Sequence, residues 1–139
     1  MRLEKGYKHW KADLLVEFNP LETGLGRFIN REKAEYIGRD GFEKMIQQGL
    51  RKQFVVMVVD ADHAPAHAGD PILHGTTQIG SVTSGGFGHR VGKNIAYGFI
   101  DPEITPDANL TIGILGRKCN ASIVVDALYD PENKVVRGE

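Results

Sequence analysis

IGSVTSGGFGHRVGKNIAYGFI, Ile79 to Ile100, is the stretch whose pattern decides the class of fold. In its second half Ile95, Tyr97 and Phe99 alternate with Ala96, Gly98 and Ile100, which is the period of two of a β-strand. The first half reads as the end of another strand over Gln78 to Thr83. Between the two, Gly85, Gly86, Gly88 and Gly92 read as a tightly turned glycine loop. The same period recurs toward the C-terminus, where Leu110, Ile112 and Ile114 alternate with Thr111 and Gly113, and Ile123, Val125 and Ala127 follow. Toward the N-terminus, Phe54 to Val59 is an unbroken apolar run, which predicts a strand covered on both faces. His74 and Gly75 form a tight turn ahead of the 78–83 strand, and Ala61 to Pro71 has the composition of a surface loop. Five or six short strands separated by turn signals predict a small antiparallel barrel or sandwich.

Composition bounds what such a fold can do. The 139 residues are 41% apolar and 25% charged, ordinary for a single globular domain. Seventeen basic against eighteen acidic residues give a net charge of −1, so no general electrostatic attraction to nucleic acid or to a membrane surface is expected. The longest apolar run is far shorter than the roughly 20 residues of a membrane-spanning helix. Arg2, Glu4, Lys5 and Lys8 at the start, with no apolar stretch behind them, predict no secretory signal, and the expected compartment is cytoplasmic. Cys119 has no second cysteine to pair with and no base beside it in sequence, so a buried thiol is expected.

Ahead of the strands, Leu3, Tyr7, Trp10 and Leu14 have near-helical spacing interrupted by Gly6, which suggests a short helix followed by an extended segment. Gly24 and Gly26 alternate with Leu25 and Arg27 as in a strand that passes close to another backbone. One helix is expected over about residues 41–48. Asp40 and Glu43 have capping-box spacing, Phe42, Met45 and Ile46 make an apolar stripe, and Gly49 can close the end.

No complete catalytic set emerges from residue types and spacing. The glycines with Lys93 invite a phosphate-loop reading, but Phe87 stands where that loop needs glycine, and Asn94 stands where it needs Ser or Thr. A dinucleotide fingerprint fails at Val91. His63, His67 and His74 have metal-compatible spacing, yet nothing marks a fourth ligand, and solvated loop histidines are expected. Ser81, Ser84 and Ser122 have no adjacent base.

Five segments, taken in order, resemble a known family. They are RLEKGYKHWKADL (Arg2 to Leu14), NPLETGL (Asn19 to Leu25), YIGRDGF (Tyr36 to Phe42), the Ile79 to Ile100 stretch, and LYDPENKVVRG (Leu128 to Gly138). Together they resemble the C-terminal portion of the glycine cleavage T-protein (aminomethyltransferase) family, most nearly the folate-binding end of dimethylglycine and sarcosine dehydrogenases. The resemblance implies a mainly β (α+β) chain: an antiparallel six-stranded Greek-key or jelly-roll-like barrel over 49–139, with residues 1–48 a remnant of a folate-binding domain.

The same resemblance implies transfer of a one-carbon unit from an amine such as glycine, sarcosine or dimethylglycine to tetrahydrofolate. Two of the family's key groups, an aspartate near the reactive folate nitrogen and a glutamate on the pterin, belong to segments upstream of RLE. The chain is therefore expected to be a C-terminal fragment that is not catalytic alone, with no flavin site. The folate-contacting residue carried over is Arg2, whose guanidinium suits a carboxylate or polar edge; Tyr129 in the tail is a second candidate near the cavity mouth, with packing at the end of the last strand as its alternative. Glu4 and Glu22 are expected to brace the local fold. The competing expectation is a free-standing barrel that serves as an interaction module. Such a module calls for a polar, water-facing N-terminal segment, whereas Leu3, Tyr7, Trp10, Leu14, Leu15, Val16 and Phe18 need cover, which predicts packing on the barrel or a homodimer through that segment.

Overall fold

The computed structural model describes all 139 residues. Strands β1 (Gln53–Val59), β2 (Pro71–His74), β3 (Thr77–Gly88), β4 (Lys93–Ile100), β5 (Leu110–Ile114) and β6 (Arg117–Val124) close into a barrel in the order β1-β4-β3-β2-β5-β6. Every pairing is antiparallel. Strands β2, β3 and β4 are sequential neighbours, and β1 reaches β2 only through the long 60–70 connection while lying beside β4, which is Greek-key wiring. The β5–β6 hairpin turns on Leu115 and Gly116, both at positive φ (47° and 80°), the geometry that matches strand twist in a two-residue turn.

The interior is filled from every strand: Val55, Met57 and Val59 of β1, Ile72 of β2, Ile79 and Val82 of β3, Ala96 and Ile100 of β4, Leu110, Ile112 and Ile114 of β5, and Cys119 and Ala121 of β6. The two-sided burial expected of β1 belongs instead to β4. Only Val55, Met57 and Val59 of β1 are fully buried, whereas every β4 residue from Asn94 to Ile100 is. The reason lies outside the barrel. Ile95, Tyr97 and Phe99 point outward, and the N-terminal segment covers them: Phe18 stacks on Phe99 with ring centroids 3.6 Å apart, and the Tyr97 hydroxyl donates to the Leu3 carbonyl at 2.7 Å. Phe54 completes this outer aromatic layer with edge contacts to Tyr97 and Phe99. The barrel therefore covers part of the segment's apolar surface, while Tyr7, Trp10 and Val16 stay exposed.

Several local expectations change. Residues 1–25 form successive turns rather than a short helix, and Gly24 sits in a turn at φ 70° next to a 3-10 turn over Gly26–Phe28, not in a strand. Helix α1 runs Arg39–Gln48; Gly38, in the left-handed region, takes the N-cap place, so Asp40 lies inside the first turn and caps nothing. Gly49 does close its end, with positive φ and its N–H on the Ile46 carbonyl. Strand β6 ends at Val124, leaving Val125 and Ala127 outside it.

The largest difference concerns the glycines. Gly85, Gly86 and Gly88 are not a loop but ladder positions of a long β3, paired with Ala96, Ile95 and Lys93. A Cβ on Gly85 would lie 2.0 Å from the Ala66 carbonyl oxygen, so glycine lets the 60–70 connection cross directly over β3. A second short helix, α2 (Lys134–Arg137), ends the chain. No helix is long and apolar enough to cross a membrane.

Candidate functional site

The site grows from the clasp between the N-terminal segment and the barrel. That segment carries three carboxylates that are almost wholly buried, Glu4, Asp13 and Glu22. Burying a charge is tolerated only where donors replace water, and each of the three is surrounded by them. Asp13 is the centre. Its Oδ1 accepts from the Thr83 and Ser84 hydroxyls at 2.5 and 2.7 Å, and its Oδ2 accepts from the His9 N–H at 2.7 Å and Arg2 Nη1 at 2.9 Å. A bulge in β3 between Val82 and Ser84 lies at these two hydroxyl-bearing residues.

Glu4 accepts from the backbone N–H groups of Arg90 and Val91 at 2.7 and 3.2 Å, across the β3–β4 turn. Glu22 accepts from Asn19 N–H at 2.9 Å and from Arg51 through N–H, Nε and Nη2 at 3.1, 2.9 and 3.0 Å. The bracing expected of Glu4 and Glu22 thus has a concrete form: each ties the segment to the start or turn of a barrel strand. Asp13 was not singled out by sequence pattern. Its one local signal is an acid set directly before the apolar Leu14 and Leu15.

Arg2 is held from two sides through one nitrogen: Nη1 donates to Asp13 and to the Tyr7 carbonyl at 3.0 Å, while the guanidinium carbon lies 5.6 Å from the centre of the Tyr97 ring. Its Nη2 and Nε donate to no protein acceptor, so one edge of the fork is oriented and unused. Burial pushes the Tyr97 hydroxyl up to about 12. Tyr129 lies beyond β6, with its N–H on the Glu4 carbonyl at 2.9 Å. Its ring packs under the Arg90 guanidinium at 4.6 Å and its hydroxyl accepts from Arg90 Nη1. Nearby, Lys5 pairs with Asp130 at 2.7 Å. Arg2 and Tyr129 thus sit on the same clasp, two residues and one hydrogen bond from Glu4, without touching each other.

The remaining candidates are placed apart from this clasp. No three His, Cys, Asp or Glu side chains are positioned to share a metal ion, and His63 instead lies 3.3 Å from the Ile114 carbonyl. Cys119 is buried in the barrel core, and burial pushes its thiol up.

The Glu22 pair carries a pH prediction. Hydrogen bonds from Arg51 hold the Glu22 carboxyl down at about 2, against an ordinary 4.5. A carboxyl lowered on folding contributes stability that is complete above its unfolded value and is lost as pH falls through the folded one. With Arg51 largely exposed, we expect about 2 kcal/mol to be lost between pH 4.5 and 2. Glu22→Gln should flatten the acid limb of a Tm-against-pH curve in that window; an unchanged limb would mean the pair contributes nothing.

Comparison with known proteins agrees with this geometry. Residues 52–130 match the family described as the glycine cleavage T-protein C-terminal barrel domain. Mitochondrial sarcosine dehydrogenase of Mus musculus is 31% identical over 147 aligned positions, covering 99% of this chain but 16% of that protein. An aminomethyltransferase of Halothermothrix orenii is 33% identical over 125 positions, covering 89% of this chain and 35% of that protein. The crystal structure of the glycine cleavage system aminomethyltransferase T from Bartonella henselae superposes with a TM-score of 0.83 at 24% identity, over 94% of this chain and 37% of that one. The chain therefore spans about a sixth of the dehydrogenases and about a third of the aminomethyltransferases. With its closed six-stranded barrel and a match running from β1 to the clasp residues after β6, this chain belongs to the glycine cleavage T-protein C-terminal barrel domain family.

Proposed function

We propose that the chain supplies the C-terminal barrel, and one wall of the folate site, of an enzyme that moves a one-carbon unit from an amine such as glycine, sarcosine or dimethylglycine to tetrahydrofolate. The observation that carries this reading is Arg2, fixed by buried Asp13 yet keeping one guanidinium edge free. That edge suits a carboxylate or a polar rim of folate, and Tyr129, elsewhere on the same clasp, is the second residue assigned to the folate wall. One oriented arginine supplies contact without the preorganised acid and clamp that a one-carbon transfer needs. Alone, the chain should bind tetrahydrofolate at millimolar strength or weaker by calorimetry, lose that binding in Arg2→Gln, and turn over no amine donor. Turnover of glycine, sarcosine or dimethylglycine by the isolated chain would overturn the division of labour proposed here.

A second reading, an interaction module, is favoured by one observation: Trp10 and Val16 are 66% and 97% exposed on the clasped segment. It predicts a homodimer or another partner on that face. A strict monomer by light scattering at high concentration counts against the homodimer.

A further inference from the structure

Beside the clasp lies a cleft of about 430 Å³ between the N-terminal segment and the β1–β6 side of the barrel. Three cations line it, Lys5, Lys8 and Arg27, and of these Lys5 is taken up by Asp130. Lys8 is half-buried, with its ammonium 4.6 Å from the centre of the Phe54 ring. Arg27, in the 3-10 turn, rests its guanidinium 4.9 Å from the Phe28 ring centre. Neither has a carboxylate partner. The acids of this neighbourhood are engaged elsewhere: Asp13 with Arg2, Asp130 with Lys5, and Glu22 with Arg51. Asp126 also lines the cleft, but it is exposed and pairs with neither cation. Burial lowers the Lys8 ammonium first, and the charge of Arg27 lowers it further, against an opposing pull from Asp13.

Two cations without acid partners on one cleft, Lys8 partly stripped of water and Arg27 exposed at the rim, oppose folding unless something else gains from the arrangement. An anion between them would reverse the repulsion and restore hydrogen bonds to both heads. We propose that this cleft binds a small oxyanion, a carboxylate or a phosphate, between the Lys8 ammonium and the Arg27 guanidinium. The aromatic ring beneath Lys8 fixes the ammonium without using up its donors. The planar fork of Arg27 can meet two oxygens at once. This site is separate from the Arg2 edge and stands whether or not the folate reading does.

The test is a titration of the isotope-labelled chain at pH 7 and constant ionic strength, with inorganic phosphate and with glutarate in separate series. Amide shifts should saturate at Lys8, Thr23 and Arg27. Lys8→Gln and Arg27→Gln should each weaken binding about tenfold, while Lys118→Gln on exposed β6 should leave it unchanged. Arg27→Gln should also raise Tm, since it removes repulsion and no ion pair; a merely structural Arg27 would lower it. Saturation by phosphate alone identifies a phosphate-type ligand, saturation by glutarate alone a carboxylate, and either supports the site. Failure of both to saturate, or saturation that survives both variants in a folded protein, overturns it.

Discussion

Asp13→Ala should cost about 3–5 kcal/mol of stability, enough to unfold much of a domain whose total is of order 5–15 kcal/mol. Four donors converge on this carboxylate, and removing it leaves the Thr83 and Ser84 hydroxyls, the His9 N–H and the Arg2 guanidinium without their acceptor. The loss extends beyond hydrogen bonds. Asp13 anchors the segment that covers Tyr97 and Phe99, so its removal exposes an aromatic layer on the outside of β4. Urea unfolding followed by far-ultraviolet circular dichroism measures the cost. Asp13→Asn, which keeps the shape but cannot accept at both oxygens, should fall between wild type and Asp13→Ala. A loss under about 1 kcal/mol for Asp13→Ala would show that Asp13 is not what anchors the segment.

Gly85→Ala should cost at least about 3 kcal/mol, because the obstacle is backbone rather than a side chain that can rotate away. The added Cβ would sit 2.0 Å from the Ala66 carbonyl oxygen and 2.7 Å from its carbon, so either β3 or the whole 60–70 connection must move. Gly41→Ala is the matched control. Gly41 lies inside α1 with open space around its Cβ position, and alanine there should stabilise by about 0.5–1 kcal/mol. Thermal melts of the two variants therefore should shift in opposite directions. If both shift alike, close passage of the connection over β3 is not what requires glycine.

These two positions also show how far sequence carries. The period of two at Ile95 to Ile100 and at Leu110 to Ile114 identified strands correctly, because alternation follows from local geometry. Which strand is covered on both faces did not follow from any local pattern. β1 has the more uniformly apolar sequence, yet β4 is the buried one, since the N-terminal segment docks on β4 from outside. The glycines were legible as places of close approach and misplaced as a loop, because a turn and a crossing both select for a missing Cβ. At α1 the Asp40 and Glu43 spacing favoured a capping box, but Gly38 at φ 90° starts the helix earlier. Of the clasp, Arg2 was found through family resemblance and Asp13 only through its partners. A buried carboxylate has no periodicity; its role is set by donors that lie seventy residues away on β3.

A chimera can decide whether this barrel with its clasped segment forms one wall of a folate site. Residues 1–139 would replace the matching C-terminal third of the Halothermothrix orenii aminomethyltransferase, and tetrahydrofolate binding would be measured by calorimetry. We expect the chimera to bind tetrahydrofolate at micromolar strength, at least about a hundredfold tighter than the isolated chain, with Arg2→Gln weakening it about tenfold. A folded chimera that binds no tighter than the isolated chain, or one indifferent to Arg2→Gln, would mean that the barrel and its segment form no part of the folate site.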